Sequence, residues 1–466
     1  MLAMPKLTEM DIRKSVLILA IPVVARMSLQ SIVGLVDTAM VGRIGPAAIA
    51  AVGLSNQIVF FLIGIITAFS IGTTTLVAQF IGAERKRKAQ EVAIQSLMVT
   101  LLLSMAIGLF GYVFSYEITE FLISRMEESD PDVIAYGGIY LRIISLSVPF
   151  FFSLILFNGI FQGAGDMKTP LIIMAFTNVY NVVMDYFLIF GIGFFPELGV
   201  RGAAIATSSA RVFAAIAAFL LLLRGNHYFK ISLSRASMHL QFPLIKSILK
   251  IGVPAAMEQL IRSSGQTILT ILVAGLGTIP LAAHQIAMRG LSLAFMPAFG
   301  FGLAATTLVG QNLGAGYFSR AEESGFTANR IAMLAMGILG GTLFIFAPQF
   351  TRLFIPDEEV VFQSAQVLRI VALTMPFLGS TITLAGALRG AGDTKWVMYI
   401  TAFGVWGARI ALSYVLAFVF NLGLLGAWLG LSADFLIRFF LTLMRFRSGY
   451  WKKLALKVKP KENTGS

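Results

Sequence analysis

Apolar runs of about twenty residues or more follow one another along almost the whole of this 466-residue chain. No other feature of the sequence restricts the fold as strongly. A helix rises 1.5 Å per residue, so about 20 apolar residues cross the roughly 30 Å hydrocarbon core of a bilayer. Inside that core every backbone polar group must be satisfied by the protein itself, which leaves helices and closed barrels. No run alternates as a barrel strand would, so the runs read as helices. They predict twelve spans, near 15–38, 50–80, 92–114, 136–162, 169–191, 201–223, 248–275, 281–312, 327–349, 363–388, 395–420 and 424–446. The second and eighth are long, which predicts tilt or extension beyond the bilayer. Only 13% of the residues are charged, against about 25% in a soluble domain. The predicted class is an all-α polytopic membrane protein.

The two halves of the chain repeat. Residues 74–83 (TTLVAQFIGA) match 306–315 (TTLVGQNLGA) at an offset of 232. Residues 163–168 (GAGDMK) match 390–395 (GAGDTK) at 227, and 198–203 (LGVRGA) match 422–427 (LGLLGA) at 224. Pro22 pairs with Pro254, and Pro149 with Pro376. Each half holds six predicted spans, an even number. The halves therefore insert in the same orientation, as two six-helix lobes related by a pseudo-two-fold axis along the membrane normal. Transporters built this way work by rocking one half against the other. The expected organisation is an N-lobe at 1–223, a linker at 224–247, a C-lobe at 248–446 and a basic tail at 447–466.

Charge sets the orientation. Arg85, Lys86, Arg87, Lys88, Lys168, Arg320, Arg389 and Lys395 fall on one side with the basic linker and the tail lysines Lys452, Lys453, Lys457, Lys459 and Lys461. The acids Glu127, Glu128, Asp130, Asp132, Asp357, Glu358 and Glu359 fall on the other. Lysine and arginine concentrate on the cytoplasmic face, so both termini are expected there, in a plasma-membrane protein. The net charge of +13 is thus a topology signal, and nucleic acid is not expected as a partner. With no cysteine and three scattered histidines, disulfides, thiolate metal sites and zinc are not expected. The glycine-rich stretch at 72–82 lacks the Lys-Ser/Thr ending of a phosphate-binding loop. Energy must then come from an ion gradient or a partner protein. The two GAGD loops suit turns and helix caps better than an intramembrane aspartyl protease, and no enzyme activity or cofactor is expected.

Span one carries Arg26, Gln30 and Asp37. A charge at membrane depth costs roughly 2.5–3.5 kcal/mol even on the lenient insertion scale, so such groups face a protein interior or a wet cavity. On span five, Asn178, Asn181 and Asp185 stand at i, i+3 and i+7, on one helix face. Asp37 lies five residues before Gly42, Asp185 six before Gly191, and Thr207 six after Arg201. All three share a depth in the outer half. Two neighbouring carboxylates at low dielectric resist double ionisation, so they share a proton or a cation bridges them. Asn and Thr oxygens suit a hard cation such as Na⁺. The C-terminal half offers no counterpart: Asp37 aligns with Leu269, and the acids there are Glu258 and Asp434. Asp434 has Arg438 at i+4, an ordinary helix pair. Met27, Met40, Met174 and Met184 are adaptable groups that suit a promiscuous cavity. Arg26 and Glu258 occupy equivalent positions, four residues after Pro22 and Pro254. They predict an inter-lobe ion pair that gates the cytoplasmic side; the rival is an intrahelical contact of Glu258 with Arg262.

Together these features resemble the multidrug and toxic compound extrusion (MATE) family, in its DinF-like branch, over all twelve spans. The resemblance is carried by Ile21-Pro22, Val36-Asp37-Thr38, Gln79 to Ala83, Gln162 to Asp166, Asn181 to Asp185, and Gly202 to Thr207. It implies an antiporter that exports cationic or amphipathic drugs in exchange for Na⁺ or H⁺ by alternating access. It maps the ion site to Asp37, Asn181, Asp185 and Thr207. It maps the substrate cavity to Gln30, Asn158 and Met174, to which the residue pattern adds Met27 and Asn178. A monomer is expected. Family members often carry a tyrosine four residues before the first-span aspartate; here that residue is Val33. The alternative reading is a lipid-linked oligosaccharide flippase of a related fold, for which Arg26, Arg211, Arg262, Arg289 and Arg409 would supply a cationic cavity.

Overall fold

The computed structural model describes residues 7–123, 131–193, 195–225, 229–230 and 239–454. All the regular structure among them is helical. The first half holds α1 (Ile12–Gly42), α2 (Pro46–Gly82), α3 (Lys86–Val113), α4 (Ser115–Ile123), α5 (Pro131–Ala164), α6 (Lys168–Phe190) and α7 (Val200–Arg224). The second holds α8 (Phe242–Ala274), α9 (Thr278–Gly314), α10 (Phe318–Ile345), α11 (Ala347–Arg352), α12 (Glu358–Gly390), α13 (Thr394–Val419) and α14 (Gly423–Arg447). The twelve long helices coincide with the twelve predicted spans, and α2 and α9 are the longest at 37 residues each. Eleven of the twelve are long and apolar enough to cross a membrane. The exception is α8, whose middle is broken by Glu258, Gln259, Arg262, Ser263, Ser264 and Gln266. The predicted outer acids Glu127, Glu128 and Asp130, the tail lysines Lys457, Lys459 and Lys461, and linker residues 226–228 and 231–238 lie outside the described residues.

The short helices α4 and α11 are additions to the predicted set. They start at Ser115 and Ala347, 232 residues apart, so the repeat extends to them.

The chain divides into two compact units. One comprises Ala25–Val77 and Lys86–Leu249; the other comprises Met1–Val24, Ala78–Arg85 and Lys250–Ser466. Helix α1 is shared between them, and the division falls two residues after Pro22. A proline inside a helix removes one i→i−4 hydrogen bond, which makes this a natural place for the helix to change allegiance.

The sequence repeat is also a contact repeat. In the first unit the Thr74 hydroxyl donates to the Gly159 carbonyl at 2.9 Å. In the second the equivalent Thr306 hydroxyl donates to the Gly386 carbonyl at 2.8 Å. Within the second unit the ends of α2 and α9 cross reciprocally. A Cβ on Gly82 would stand 1.9 Å from the Gln311 carbonyl oxygen, and one on Gly314 would stand 1.9 Å from that of Gln79. Both contacts meet backbone, which has little freedom to retreat. Overpacking of this kind costs about 1–3 kcal/mol or more. Gly82→Ala and Gly314→Ala are therefore each expected to lower the melting temperature of the purified protein. Unchanged melting in both would mean that the crossing is looser than these distances.

The two GAGD loops have parted company. Asp166 caps α6, accepting from the Thr169 backbone at 2.9 Å and from the Thr169 hydroxyl at 2.6 Å. Asp393 instead holds Arg445 in an ion pair at 2.7 Å.

Candidate functional site

The first unit positions its polar groups on four helices. Asp37 stands on α1, Tyr140 on α5, Asn181 and Asp185 on α6, and Thr207 and Arg211 on α7. Helices α6 and α7 approach closely because Gly202 has no side chain; a Cβ there would lie 2.4 Å from the Leu188 carbonyl oxygen. Tyr140 sits in an apolar core with Val41, Ile144, Ile189, Ala203 and Ala204. That core places a phenol beside the polar face of α6 and α7.

The carboxyl groups of Asp37 and Asp185 lie within hydrogen-bonding reach of each other. The Asn181 amide donates to Asp185 Oδ2 at 2.9 Å. Asp185 is 2% exposed, and the Oδ1 atoms of both aspartates are buried with no donor among the described residues. A contact between two carboxyls is a hydrogen bond only if one of them carries a proton. Failing that, the two facing oxygens need a cation between them, since leaving a buried charge uncompensated is costly. Tyr140 reaches the Thr207 hydroxyl, and its own oxygen feels both aspartates and Arg211. The Arg211 guanidinium lies 4.2 Å above the Phe151 ring, with Nη1 buried and unpartnered.

The structure thus brings Asp37, Asn181 and Asp185 into direct contact and reaches Thr207 through Tyr140. The sequence reasoning missed Tyr140, whose segment IAYGGIYLRI has no polar periodicity. Asn178 stands on the same helix with its amide nitrogen buried and unpartnered. Among the described residues no hydrogen bond ties Gln30 or Asn158 to the carboxyls; Gln30 is exposed, and Asn158, Met27 and Met174 are half-buried. No cluster of three His, Cys, Asp or Glu side chains occurs among the described residues.

The second unit has a different interior. Arg389 holds Glu258 bidentately, with Nη2 to Oε1 at 2.7 Å and Nε to Oε2 at 3.2 Å. Arg262 Nη2 reaches Oε1 at 3.1 Å. The predicted rival contact is therefore present, and the Glu258 oxygens are taken within their own unit. Arg26 stands in the other unit. Asp434 holds Arg438, as predicted, and Arg409 as well, both at 2.6 Å. Arg262 and Arg409, two arginines on which the flippase reading rests, each contact a carboxylate that a second arginine shares.

A helical, multi-pass membrane protein, made of two like halves with a buried carboxyl pair in the first, is the class these observations define. The MatE family model matches residues 22–187 and again 254–415, the two matches opening on the equivalent Pro22 and Pro254. The chain is similar to "Probable multidrug resistance protein NorM" of Thermotoga maritima, at 33% identity, covering 97% of this chain and 96% of that one. It is similar to "Probable multidrug resistance protein YoeA" of Bacillus subtilis at 27% identity, covering 96% of each. Its fold matches a MATE crystal structure in complex with MaL6 at a TM-score of 0.85 and 25% identity, covering 95% of this chain and 98% of the other. The fold also matches the outward-facing conformation of a multidrug resistance MATE family transporter of the MOP superfamily, at 0.85 and 24% over the same shares. The chain belongs to the MatE family.

Proposed function

We propose that this protein is a secondary active multidrug exporter of the DinF-like branch, exchanging cationic or amphipathic drugs for H⁺ or Na⁺ by alternating access. The observation that carries the reading is the Asp37–Asp185 contact with two buried, donorless oxygens. Such a pair takes up one monovalent cation, proton or Na⁺, and gives it back when the surroundings change. Arg26, Gln30, Met27, Asn158, Met174 and Asn178 supply the wider cavity in this reading. The coupled exchange runs in the plasma membrane, by a monomer with both termini in the cytoplasm. The relatives' printed names support the drug class, and the aspartates on α1 and α6 support the branch.

Linkage supplies the test. If drug and ion compete for one conformational cycle, drug binding must change ion affinity by the same factor that the ion changes drug affinity. Titrating the purified protein with ethidium in weak buffer is expected to release protons, or else ethidium affinity is expected to fall as Na⁺ rises. The arm that responds identifies the coupling ion. Ethidium binding that moves no protons and is indifferent to Na⁺ would contradict coupling at this pair.

A further inference from the structure

A cavity of about 240 Å³ lies within the second unit, among α8, α9, α12, α13 and α14. Three arginines, Arg262, Arg409 and Arg438, are among the residues that line it. Together with Arg389 they make four arginines around two carboxylates, Glu258 and Asp434. Over these six side chains the formal charges sum to +2. Arg409 and Arg438 are 3% and 6% exposed. Arg262 Nε is buried with no acceptor. Arg409 and Arg438 each spend Nε and Nη2 on Asp434, and no acceptor for either Nη1 occurs among the described residues. A guanidinium has five donors, so the cluster faces the cavity with donors to spare. Arg409 is also presented by a π-helical stretch, Phe403–Ile410, a backbone form that is rare and frequent at functional sites.

Unmatched cations at membrane depth are expensive, and burial makes the cost larger unless a counter-charge arrives. The counter-charge must fit the cavity. A water's share of liquid volume is about 30 Å³, so the space exceeds what a lone halide fills. Its remaining wall joins an apolar side, with Phe295, Phe435, Leu378 and Ile382, to the uncharged polar groups of Gln259, Ser263, Gln266 and Ser292. An apolar pocket with a few convergent polar groups is the usual form of a small-molecule site. A carboxylate accepts two parallel N–H bonds from a guanidinium.

We propose that this cavity binds a small amphipathic organic anion, a carboxylate carrying an aromatic or aliphatic body. The site is separate from the Asp37–Asp185 pair and of opposite charge, and it does not rest on the drug-export reading. In the proposal the carboxylate engages Arg262 and the free donors of Arg409 and Arg438, and the body packs on Phe295 and Phe435.

The probe is 1-naphthoate, titrated by calorimetry into the full chain in lipid nanodiscs. Neutral 1-naphthamide is the matched control. One site is expected, with the amide at least tenfold weaker. Arg262→Gln is expected to weaken naphthoate at least tenfold, since Arg389 still holds Glu258. Ser263→Phe, which fills the cavity from an uncharged wall, is expected to abolish binding. It keeps the proposal testable if Arg262→Gln does not fold, with thermal melting as the check on both. Equal affinity for naphthoate and naphthamide, or naphthoate binding unmoved by either variant, would overturn the proposal. So would displacement of naphthoate by chloride at equal affinity, which marks a halide site only.

Discussion

Gradient-driven efflux of a cationic dye from proteoliposomes is expected to collapse in Asp37→Asn, while the variant stays folded and still binds the dye. Asparagine keeps the size of the side chain and can hydrogen-bond Asp185. It removes the ionisable oxygen that faces Asp185, so the pair no longer exchanges a proton or Na⁺ between states. The loss is that of the coupling free energy, typically 1–3 kcal/mol or about 5–150-fold, and transport that depends wholly on coupling belongs at the upper end. Asp185→Asn should behave alike. The double variant should be no worse than either single one, because residues acting as one unit are not additive. Unchanged uphill efflux in Asp37→Asn, measured beside an unchanged melting temperature, would falsify the assignment of the ion site.

Much of this architecture was legible because membrane burial writes itself in long apolar runs. The spans needed only length, and the juxtaposition of Asp37 and Asp185 needed only depth counted from the helix ends. Tyr140 was not legible for the opposite reason. It faces inward among small and aliphatic residues, and its phenol is reached by a tertiary contact that no local spacing encodes. The sequence groups Arg389 with the topology residues of the inner loops and shows nothing of its ion pair. It lies in the last turn of α12, its side chain is mostly buried, and it holds Glu258. A helix-end arginine looks the same in sequence whether it faces lipid headgroups or turns inward. The short helices α4 and α11 escaped because nine and six residues are too few to show a span or a clear period. The repeat was legible in its glycines, since close backbone crossings tolerate nothing else, but its charges have diverged. One half presents facing acids and the other a cluster of arginines.

That divergence makes Asp434 the residue whose loss should be felt most in folding. Its carboxylate is fully buried and receives four hydrogen bonds. Oδ1 takes Arg438 Nε at 2.6 Å; Oδ2 takes Arg438 Nη2 at 2.8 Å and Arg409 Nη2 and Nε at 2.6 and 3.0 Å. Gly404 makes room for the arrangement, since a Cβ there would stand 2.4 Å from Asp434 Oδ1 and from Arg438 Cγ. Asp434→Ala leaves two buried guanidinium groups without their shared counter-charge. Removing one partner of a buried ion pair costs about 3–5 kcal/mol, whereas replacing the whole set by apolar groups of similar volume is often neutral or better. Asp434→Ala is therefore expected to lower the melting temperature sharply, and the triple change Asp434→Leu, Arg409→Met, Arg438→Met to recover most of the loss. A single variant that melts as the wild type does would show that the arginines find other acceptors. The anion site makes one further demand. Losing Asp434 raises the excess charge of the cluster from two to three, so 1-naphthoate should stabilise the Asp434→Ala protein more than the wild type. Equal stabilisation of the two would mean that the carboxylate at 434 and the ligand do not share the same guanidinium groups.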